Sequence, residues 1–219
     1  MVAELNFSMP FPDDRPAADA SAPALLPTEC TVVPVLTVAR ERGVTVEMAI
    51  DPDHVERFYE LYLEAFGPLR TRAPARQVLH YDEFVQEMTD PRVLKYVAWN
   101  DAGEPTALST LTSDLTTVPW ISPEYFAARY PEHTARRAVY YWGFALSQPT
   151  RRSSFGFRQI LVEIVAKMAR ERAVCAYDIC GFNNAELRFA SHVEAVASRF
   201  AEVKVEALDN QTYYGATFP

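Results

Sequence analysis

The chain has 219 residues, of which 49% are hydrophobic and 23% charged, so it is long enough for one large domain with an ordinary apolar core. Its formal net charge of −8 argues against nucleic acid and anionic membranes as partners, because an acidic surface repels phosphate. No apolar run reaches membrane-spanning length, and the scattered cysteines and histidines lack metal spacing. We therefore expect a cytoplasmic protein without a metal.

Residues 1–30 are rich in proline, alanine and aspartate, and their prolines are spaced too closely for a helix or a central strand. This composition predicts either an extended arm or a disordered tail, and the sequence leaves both open. We assign residues 31–219 to a single domain.

Alternating strand and helix signals begin at Val44. Every second residue from 44 to 50 is apolar, which predicts a half-buried strand. Asp51-Pro52 then predicts the start of a helix and Gly67-Pro68 its end, because aspartate caps a helix and proline is tolerated at its first position. A second, short helix is predicted near 80–89.

A β-hairpin is predicted next, with strands at 93–100 and 105–113 around a glycine-containing turn. Residues 114–137 form a long insert with a short helix that begins at Ser122-Pro123. The following run, 138–146, is apolar and aromatic on both faces, which is typical of a central strand covered on two sides.

The rest of the chain predicts a helix at 155–172, a buried strand at 174–180, a helix capped by Asn183 or Asn184, and two terminal strands at about 202–208 and 211–218. This order predicts an α/β fold with a mixed, mostly antiparallel sheet and helices on both faces.

The segment between strand 138–146 and the next helix carries the clearest chemical signal. Arg151 and Arg152 lie there beside serines and a glycine, just before a long amphipathic helix. Unpaired amides and about half a positive charge at a helix N-terminus favour phosphate binding. The alternative is a solvated basic turn that caps the helix.

Arg151-x-x-Ser154-x-Gly156 resembles the pyrophosphate loop Q/R-x-x-G-x-G/A of GCN5-related N-acetyltransferases (GNATs), with Ser154 where the family usually has glycine. The element order over 44–218 also resembles that GNAT fold. The resemblance implies splayed fourth and fifth strands, with a bulge at Gly143. It further implies cofactor contacts by Phe144, Ala145, Leu146, Arg151, Arg152, Ser153, Ser154, Phe155, Gly156, Phe157 and Asn183, the last of which has a plain helix cap as its alternative.

The function implied by this resemblance is acyl transfer. The donor would be acetyl-CoA, a longer acyl-CoA or an acyl-carrier protein, and the acceptor an amine-bearing small metabolite. Two alternatives stay open, namely a thioester-processing enzyme of specialised metabolism on the same scaffold and a non-catalytic acyl-CoA-binding module. The sequence also leaves a homodimer open.

A fainter resemblance links AFGPLR, YDEF and the long insert to acyl-homoserine-lactone and N-acyl-amino-acid synthases. Lactone synthesis is not supported, because the arginine of the third strand and the Glu-x-x-Arg of the fourth strand are absent. What remains is an insert that enlarges an acceptor or acyl pocket. We assign substrate binding to Arg70, Arg72, Trp120 and Trp142. Arg70 and Arg72 form, with Arg76, a group of three arginines that could hold an acidic acceptor through paired hydrogen bonds. The alternative is that this arginine-rich segment is a solvated loop.

Acyl transfer to an amine needs a base for the amine proton and an acid for the leaving thiolate. We assign the base to Asp178, a lone carboxylate in an apolar strand, with a structural ion pair to a neighbouring arginine as the alternative. The family's leaving-group tyrosine is absent, since Phe189 stands near its position. We therefore assign the acid to Tyr213, for which a place in the aromatic core is the alternative.

Overall fold

The computed structural model describes residues 43–148 and 151–218, with the backbone alone at 151–154, 186–187 and 189. The predicted arm at 1–30 lies outside the described residues. The main elements are β1 (Val44–Glu47), α1 (Pro52–Phe66), α2 (Tyr81–Thr89), β2 (Val93–Trp99), β3 (Pro105–Thr112), α3 (Pro123–Arg129), α4 (Pro131–Ala135), β4 (Val139–Ser147), α5 (Arg151–Glu171), β5 (Val174–Tyr177), α6 (Gly181–Leu187) and α7 (Phe189–Ala197).

The five strands lie in the sheet in the order in which they occur along the chain. The pairs β1–β2, β2–β3 and β3–β4 are antiparallel, whereas β5 runs parallel to β4. The parallel pair requires a crossover, which α5 provides. The predicted α/β fold with a mixed, mostly antiparallel sheet is confirmed.

Helices cover both faces of this sheet. The apolar stripe of α5 packs on one face together with α7, and its buried side chains are Phe157, Ile160, Leu161, Ile164 and Val165. Helices α1 and α2 cover the other face with an aromatic cluster that includes Phe58, Tyr62, Phe66, Phe84 and Phe144. The central strands are therefore buried on two sides, as their near-continuous apolar sequence predicts.

Several local signals act as predicted. The Asp51 side chain accepts a hydrogen bond from the Asp53 amide at the start of α1, where Pro52 is the first helical residue. Ser122 caps α3 in the same way through the Tyr125 amide. In the hairpin turn, Gly103 adopts a φ of +80°, a conformation that glycine reaches without steric cost.

The predicted terminal strands at 202–208 and 211–218 are wrong. Residues 201–218 form no regular secondary structure, and all of those from 209 onward are exposed. Leu208 contacts the core beside the insert, and Glu206 pairs with Arg129, so this tail lies along the insert. The alternating apolar residues near 203 predict a strand, but in the described structure no neighbouring strand pairs with them.

Two helix starts also differ from the predictions. Helix α5 begins at Arg151 rather than near 155, so its first turn includes the residues assigned to the pyrophosphate loop. Helix α6 is capped by Cys180, which places Asn183 inside its first turn instead of at the cap. The alternative of Asn183 as a plain helix cap is therefore wrong.

Candidate active site

Strands β4 and β5 separate part of the way along β4. Their pairing covers only four registers, of which the last joins Trp142 to Tyr177. Strand β5 ends at Tyr177, but β4 continues to Ser147. The second half of β4 therefore lies beside a gap in the strand pairing, called the opening below, where no strand of the described chain pairs with it on that side.

A β-bulge lies where this opening begins. Between the pairs Ser109↔Ala145 and Leu111↔Trp142, the single residue Thr110 faces two residues of β4, Gly143 and Phe144. Such a bulge bends and twists a strand. The bulge predicted at Gly143 is confirmed.

Side chains of β3 hold both backbone polar groups of Phe144. The Phe144 amide donates to Oγ1 of Thr110 at 3.2 Å, and its carbonyl accepts from Oγ of Ser109 at 3.0 Å. Farther along, the Gln148 amide donates to the carbonyl of Thr106. Both residues thus direct their backbone groups toward β3.

Successive residues of a strand direct their backbone groups to opposite sides. Leu146 lies between Phe144 and Gln148 in this alternation, so its backbone groups also point to β3. The backbone groups of Ala145 and Ser147 point to the opening instead. Of the three residues predicted to pair with a pantetheine arm, only Ala145 has this orientation. The backbone groups of Ser147 have the same orientation, and the sequence analysis missed this residue.

A small cavity lies under the bulge, on the α2 side of the sheet. Its volume is about 20 Å³, close to the space that one water molecule needs. The lining residues are Glu87, Val93, Thr110, Thr112, Thr117, Val118, Trp120, Tyr141 and Gly143, which come from α2, β2, β3, β4 and the insert.

Glu87 is the carboxylate of this cavity. Burial raises the pKa of its carboxyl group above the usual value, although the neighbouring Thr110 side chain and the charge of Lys95 oppose the change. Gly143 makes this arrangement sterically acceptable, because a Cβ there would lie 2.5 Å from Thr110 Oγ1 and 3.4 Å from Glu87 Oε1. The cavity thus places a carboxyl group with a raised pKa beside the bulge, which is the setting of a general acid or base.

Lys95 lies behind this carboxyl group on β2 and is completely buried. Its Nζ donates to the carbonyls of Met48 at 3.0 Å and Asp90 at 2.6 Å. Burial lowers the pKa of Lys95 to about 8, and the nearby Glu87 and Asp90 oppose this shift.

Asp178 and Trp120, both predicted as site residues, come together just beyond the end of β5. Tyr141 donates a short hydrogen bond to Oδ1 of Asp178, and Nε1 of Trp120 lies 3.3 Å from the same oxygen and 3.2 Å from the Tyr141 hydroxyl. Burial and the Asp178 carboxylate raise the pKa of Tyr141, so its hydroxyl stays protonated. The partners of Asp178 in this cluster are aromatic donors, not the arginine of the alternative interpretation.

The three arginines between α1 and α2 have different surroundings. Arg76 forms a two-pronged ion pair with Glu83, and the guanidinium carbon of Arg72 lies 5.2 Å from the ring centre of Phe182. Arg70 is exposed and lines a cavity of about 340 Å³ formed largely by residues 73–78 and His80. Arg70 is thus the arginine of this group best placed for an acidic acceptor.

Several other predicted site residues lie in the core. Trp142 is 3% exposed on the α5 side of the sheet, where its indole donates to Ser109, so it lies across the sheet from the Glu87 cavity. Phe157 packs in the same core. Gly156 lets α5 approach β2 and β3 closely, because a Cβ there would lie 2.8 Å from that of Ala98. These positions indicate that Trp142, Phe157 and Gly156 contribute to the packing of the core.

The remaining predicted residues lie elsewhere. Asn183 is buried in α6, and Phe155 is 62% exposed on the first turns of α5. Tyr213 lies in the C-terminal tail and is 49% exposed, outside the Asp178 cluster and outside the aromatic core. The side chains of 151–154 fall outside the described part of the structure, so their assigned contacts stay predictions.

Sequence reasoning missed Glu87, Thr110 and Tyr141. A signal for Glu87 exists, because it lies three residues after Phe84 and beside Met88 on the inward face of α2, where an unpaired carboxylate is costly. Thr110 and Tyr141 carry no comparable signal, since their roles depend on the register of β3 and β4.

No protein-family model and no curated protein matches the chain. Solved structures of similar shape include the aminoglycoside 6'-N-acetyltransferase AAC(6')-Ih from Acinetobacter baumannii, with 16% identity, 78% of this chain and 99% of that chain covered, and a TM-score of 0.41. A ribosomal-protein-alanine N-acetyltransferase from Brucella melitensis is 11% identical over 77% and 99% of the two chains, with a TM-score of 0.43. The aminoglycoside N-acetyltransferase AAC(6')-Iy in complex with CoA is 12% identical over 79% and 99%, with a TM-score of 0.42. With TM-scores below 0.5, these likenesses carry no argument about what this chain binds or catalyses.

Within the described ranges, no three His, Cys, Asp or Glu side chains come together as a metal site would require. No helix in the same ranges is both long enough and apolar enough to cross a bilayer.

Proposed function

We propose that this chain transfers an acyl group from a pantetheine thioester, carried by CoA or by an acyl-carrier protein, to the amine of a small molecule. The observation that supports this function best is the opening beside β4. It begins at a bulge, runs along an extended strand and adjoins a cavity that contains a carboxyl group.

The opening suits an extended, amide-bearing ligand. Pantetheine carries two amides along a narrow chain, and such a chain binds to a strand edge through main-chain hydrogen bonds. The backbone groups of Ala145 and Ser147 have the alternation that this binding mode requires. The thioester would then lie near Gly143, just after the last residue of β4 that pairs with β5.

The diphosphate of CoA would bind at the start of α5. This 21-residue helix begins a few residues after β4 ends, so its N-terminal amides and partial positive charge lie at the far end of the opening. Arg151 and Arg152 belong to its first turn and would add charge-assisted hydrogen bonds.

The acceptor would approach from the α1–α2 face. The Glu87 cavity lies on this face, and exposed Arg70 lies on the connection between these two helices. An acceptor that combines an amine with a carboxylate or phosphate would use both features.

Calorimetric titration with CoA, acetyl-CoA and longer acyl-CoAs tests the donor. We expect binding, and we expect the double variant Arg151→Ala/Arg152→Ala to weaken it several-fold to about a hundredfold, as for the loss of charge-assisted contacts worth about 1–3 kcal/mol in total. Arg170→Ala, at the C-terminal end of the same helix, is the matched control and should bind like the unaltered protein. If the unaltered protein binds neither an acyl-CoA nor an acylated carrier protein, the proposal is wrong.

A thiol-release assay then separates transfer from binding alone. A panel of small amines is added to the protein with the acyl-CoA that binds most tightly, and free thiol is followed spectroscopically. Release that depends on the amine supports acyl transfer, whereas binding without release under every acceptor supports the binding-module alternative.

A further inference from the structure

We propose that Glu87 is the catalytic base that removes the proton from the acceptor amine, and that Thr110 positions it. This inference rests on the acyl-transfer function proposed above. It replaces Asp178 in the role assigned from the sequence.

The first argument is the position of the two carboxylates. Glu87 lines the cavity at the bulge together with Gly143, directly beside the place where β4 leaves β5. Asp178 instead accepts hydrogen bonds from Tyr141 and Trp120, so its Oδ1 lone pairs are already engaged by two donors. Glu87 is therefore the better placed proton acceptor.

The second argument is the position of Thr110 beside the Glu87 carboxyl group. Thr110 has one hydroxyl hydrogen, and its oxygen already accepts from the Phe144 amide. The hydroxyl hydrogen is thus available to the Glu87 carboxylate, which lines the same cavity. This arrangement places the carboxylate beside the bulge and leaves its lone pairs for a ligand.

The third argument is the size of the cavity. A volume of about 20 Å³ admits one water-sized group. The nitrogen of a primary amine has this size, so the cavity favours an unhindered amine over a more substituted one. The acceptor class is accordingly a small molecule with an unhindered primary amine.

The chemistry balances without a further reactant. The amine nitrogen attacks the thioester carbon and forms the C–N bond, while the N–H proton moves to the Glu87 carboxylate. The C–S bond breaks, and sulfur leaves with the electron pair as a thiolate, which takes a proton from solvent. Glu87 returns its proton to solvent, so the products are an amide and a free thiol.

The charged and titratable groups around Glu87 are compatible with its role as a base. Lys95 on β2 is a nearby positive charge, with Asp90 beside it, and the hydroxyls of Tyr62 on α1 and Tyr141 on β4 face the same region. Burial raises the pKa of both tyrosines, so they remain neutral around pH 7. Burial also raises the pKa of Glu87, which moves it toward the range in which a carboxylate is an effective base.

Glu87→Gln tests the base, because it keeps the side-chain shape and removes the proton acceptor. We expect acyl-CoA affinity to stay within about threefold, the rate of amine-dependent thiol release to fall by roughly 10²–10⁴, and the ascending limb of the pH–rate profile to disappear. Glu64→Gln, on the exposed side of α1, is the control with the same chemical change and should behave like the unaltered protein. Thermal melting checks that each variant folds.

Thr110 variants test the positioning role. Thr110→Val removes the hydroxyl group that opposes the rise in the pKa of Glu87, so the ascending limb should move to higher pH. Thr110→Ser keeps the hydroxyl and should leave the ascending limb at the pH seen in the unaltered protein. A merely structural role for Thr110 would change the rate without moving the limb.

The outcomes separate this inference from the proposed function. An unchanged rate and pH profile in Glu87→Gln overturns the role of Glu87, even if acyl-CoA binds and transfer occurs. Failure of the unaltered protein to bind any acyl donor overturns the proposed function instead. If Glu87→Gln does not fold, Glu87→Asp decides: a lower rate with the limb retained supports the base, and a rate equal to that of the unaltered protein contradicts it.

Discussion

Replacement of Gly143 by alanine tests the description of the bulge. A Cβ at this position would lie 2.5 Å from Thr110 Oγ1 and 3.4 Å from Glu87 Oε1. The first distance is far inside van der Waals contact, and Thr110 is a β-branched side chain on a buried central strand. Thr110 would therefore have to rotate or β4 would have to shift.

Two costs contribute to the expected destabilisation. Overpacking of a closely packed core costs about 1–3 kcal/mol. Rotation of Thr110 would also leave the buried Phe144 amide without its acceptor, which costs roughly another 1–3 kcal/mol. Because the strand can relax, we expect a total loss of about 2–4 kcal/mol, equivalent to a fall in melting temperature of roughly 4–16 °C for a chain of this size.

Urea denaturation and thermal melting measure this loss. Gly67→Ala is the matched control, because its φ of −49° is helical and no atom lies within 4 Å of the added Cβ. It should leave the free energy of unfolding unchanged or raise it by up to about 1 kcal/mol. Thr110→Ala removes the clashing oxygen, so adding Gly143→Ala in that background should cost much less. A Gly143→Ala protein as stable as the unaltered one would refute the bulge geometry, and equal costs in both backgrounds would refute the role of Thr110.

Two further predictions concern buried polar groups. The pKa of Lys95 is lowered to about 8 in the folded protein. Between pH 8 and 10 the unfolded chain therefore binds more protons at Lys95 than the folded protein does. The contribution of Lys95 to stability should rise with pH over this window. The unfolding free energy of the unaltered protein minus that of Lys95→Met should therefore increase over this window, by at most about 1.4 kcal/mol per pH unit. A flat or falling difference would contradict the lowered pKa of Lys95. Tyr141→Phe removes the short hydrogen bond to Asp178 and should lower stability by about 1–2 kcal/mol, with faster amide exchange in the insert at 114–122, whereas Tyr125→Phe, on an exposed tyrosine of α3, should change neither.

Local patterns in the sequence determined most of the fold. The caps Asp51 and Ser122, the turn at Gly103 and the helical periodicity of α1 and α5 depend on neighbouring residues, which a sequence displays directly. Their order along the chain also favours a parallel β5, because the single long helix between β4 and β5 supplies the crossover that a parallel pair needs. The opening beside β4 lies where this parallel pairing ends, next to the bulge at Gly143.

The candidate site was only partly predictable. Asp178 and Trp120 stand out as an isolated carboxylate and a tryptophan in an insert, and the structure does bring them together. It adds Tyr141, however, and of this cluster Trp120 and Tyr141 line the Glu87 cavity, whereas Asp178 is not among its lining residues. Trp142 and Phe157 lie in the core on the α5 side of the sheet. The sequence does not indicate this for Trp142, because both faces of β4 are apolar.

The sequence alone determined the identity and order of the elements, because hydrophobic periodicity, helix caps and turn residues act over a few positions. Only the tertiary structure decided the chemistry of the site. The meeting of Glu87 with Thr110 depends on the packing of α2 against a bulge between β3 and β4, and the burial that raises the pKa of Glu87 depends on elements from five parts of the chain. Register and burial are set by contacts between residues that are distant in sequence, and no local pattern records them.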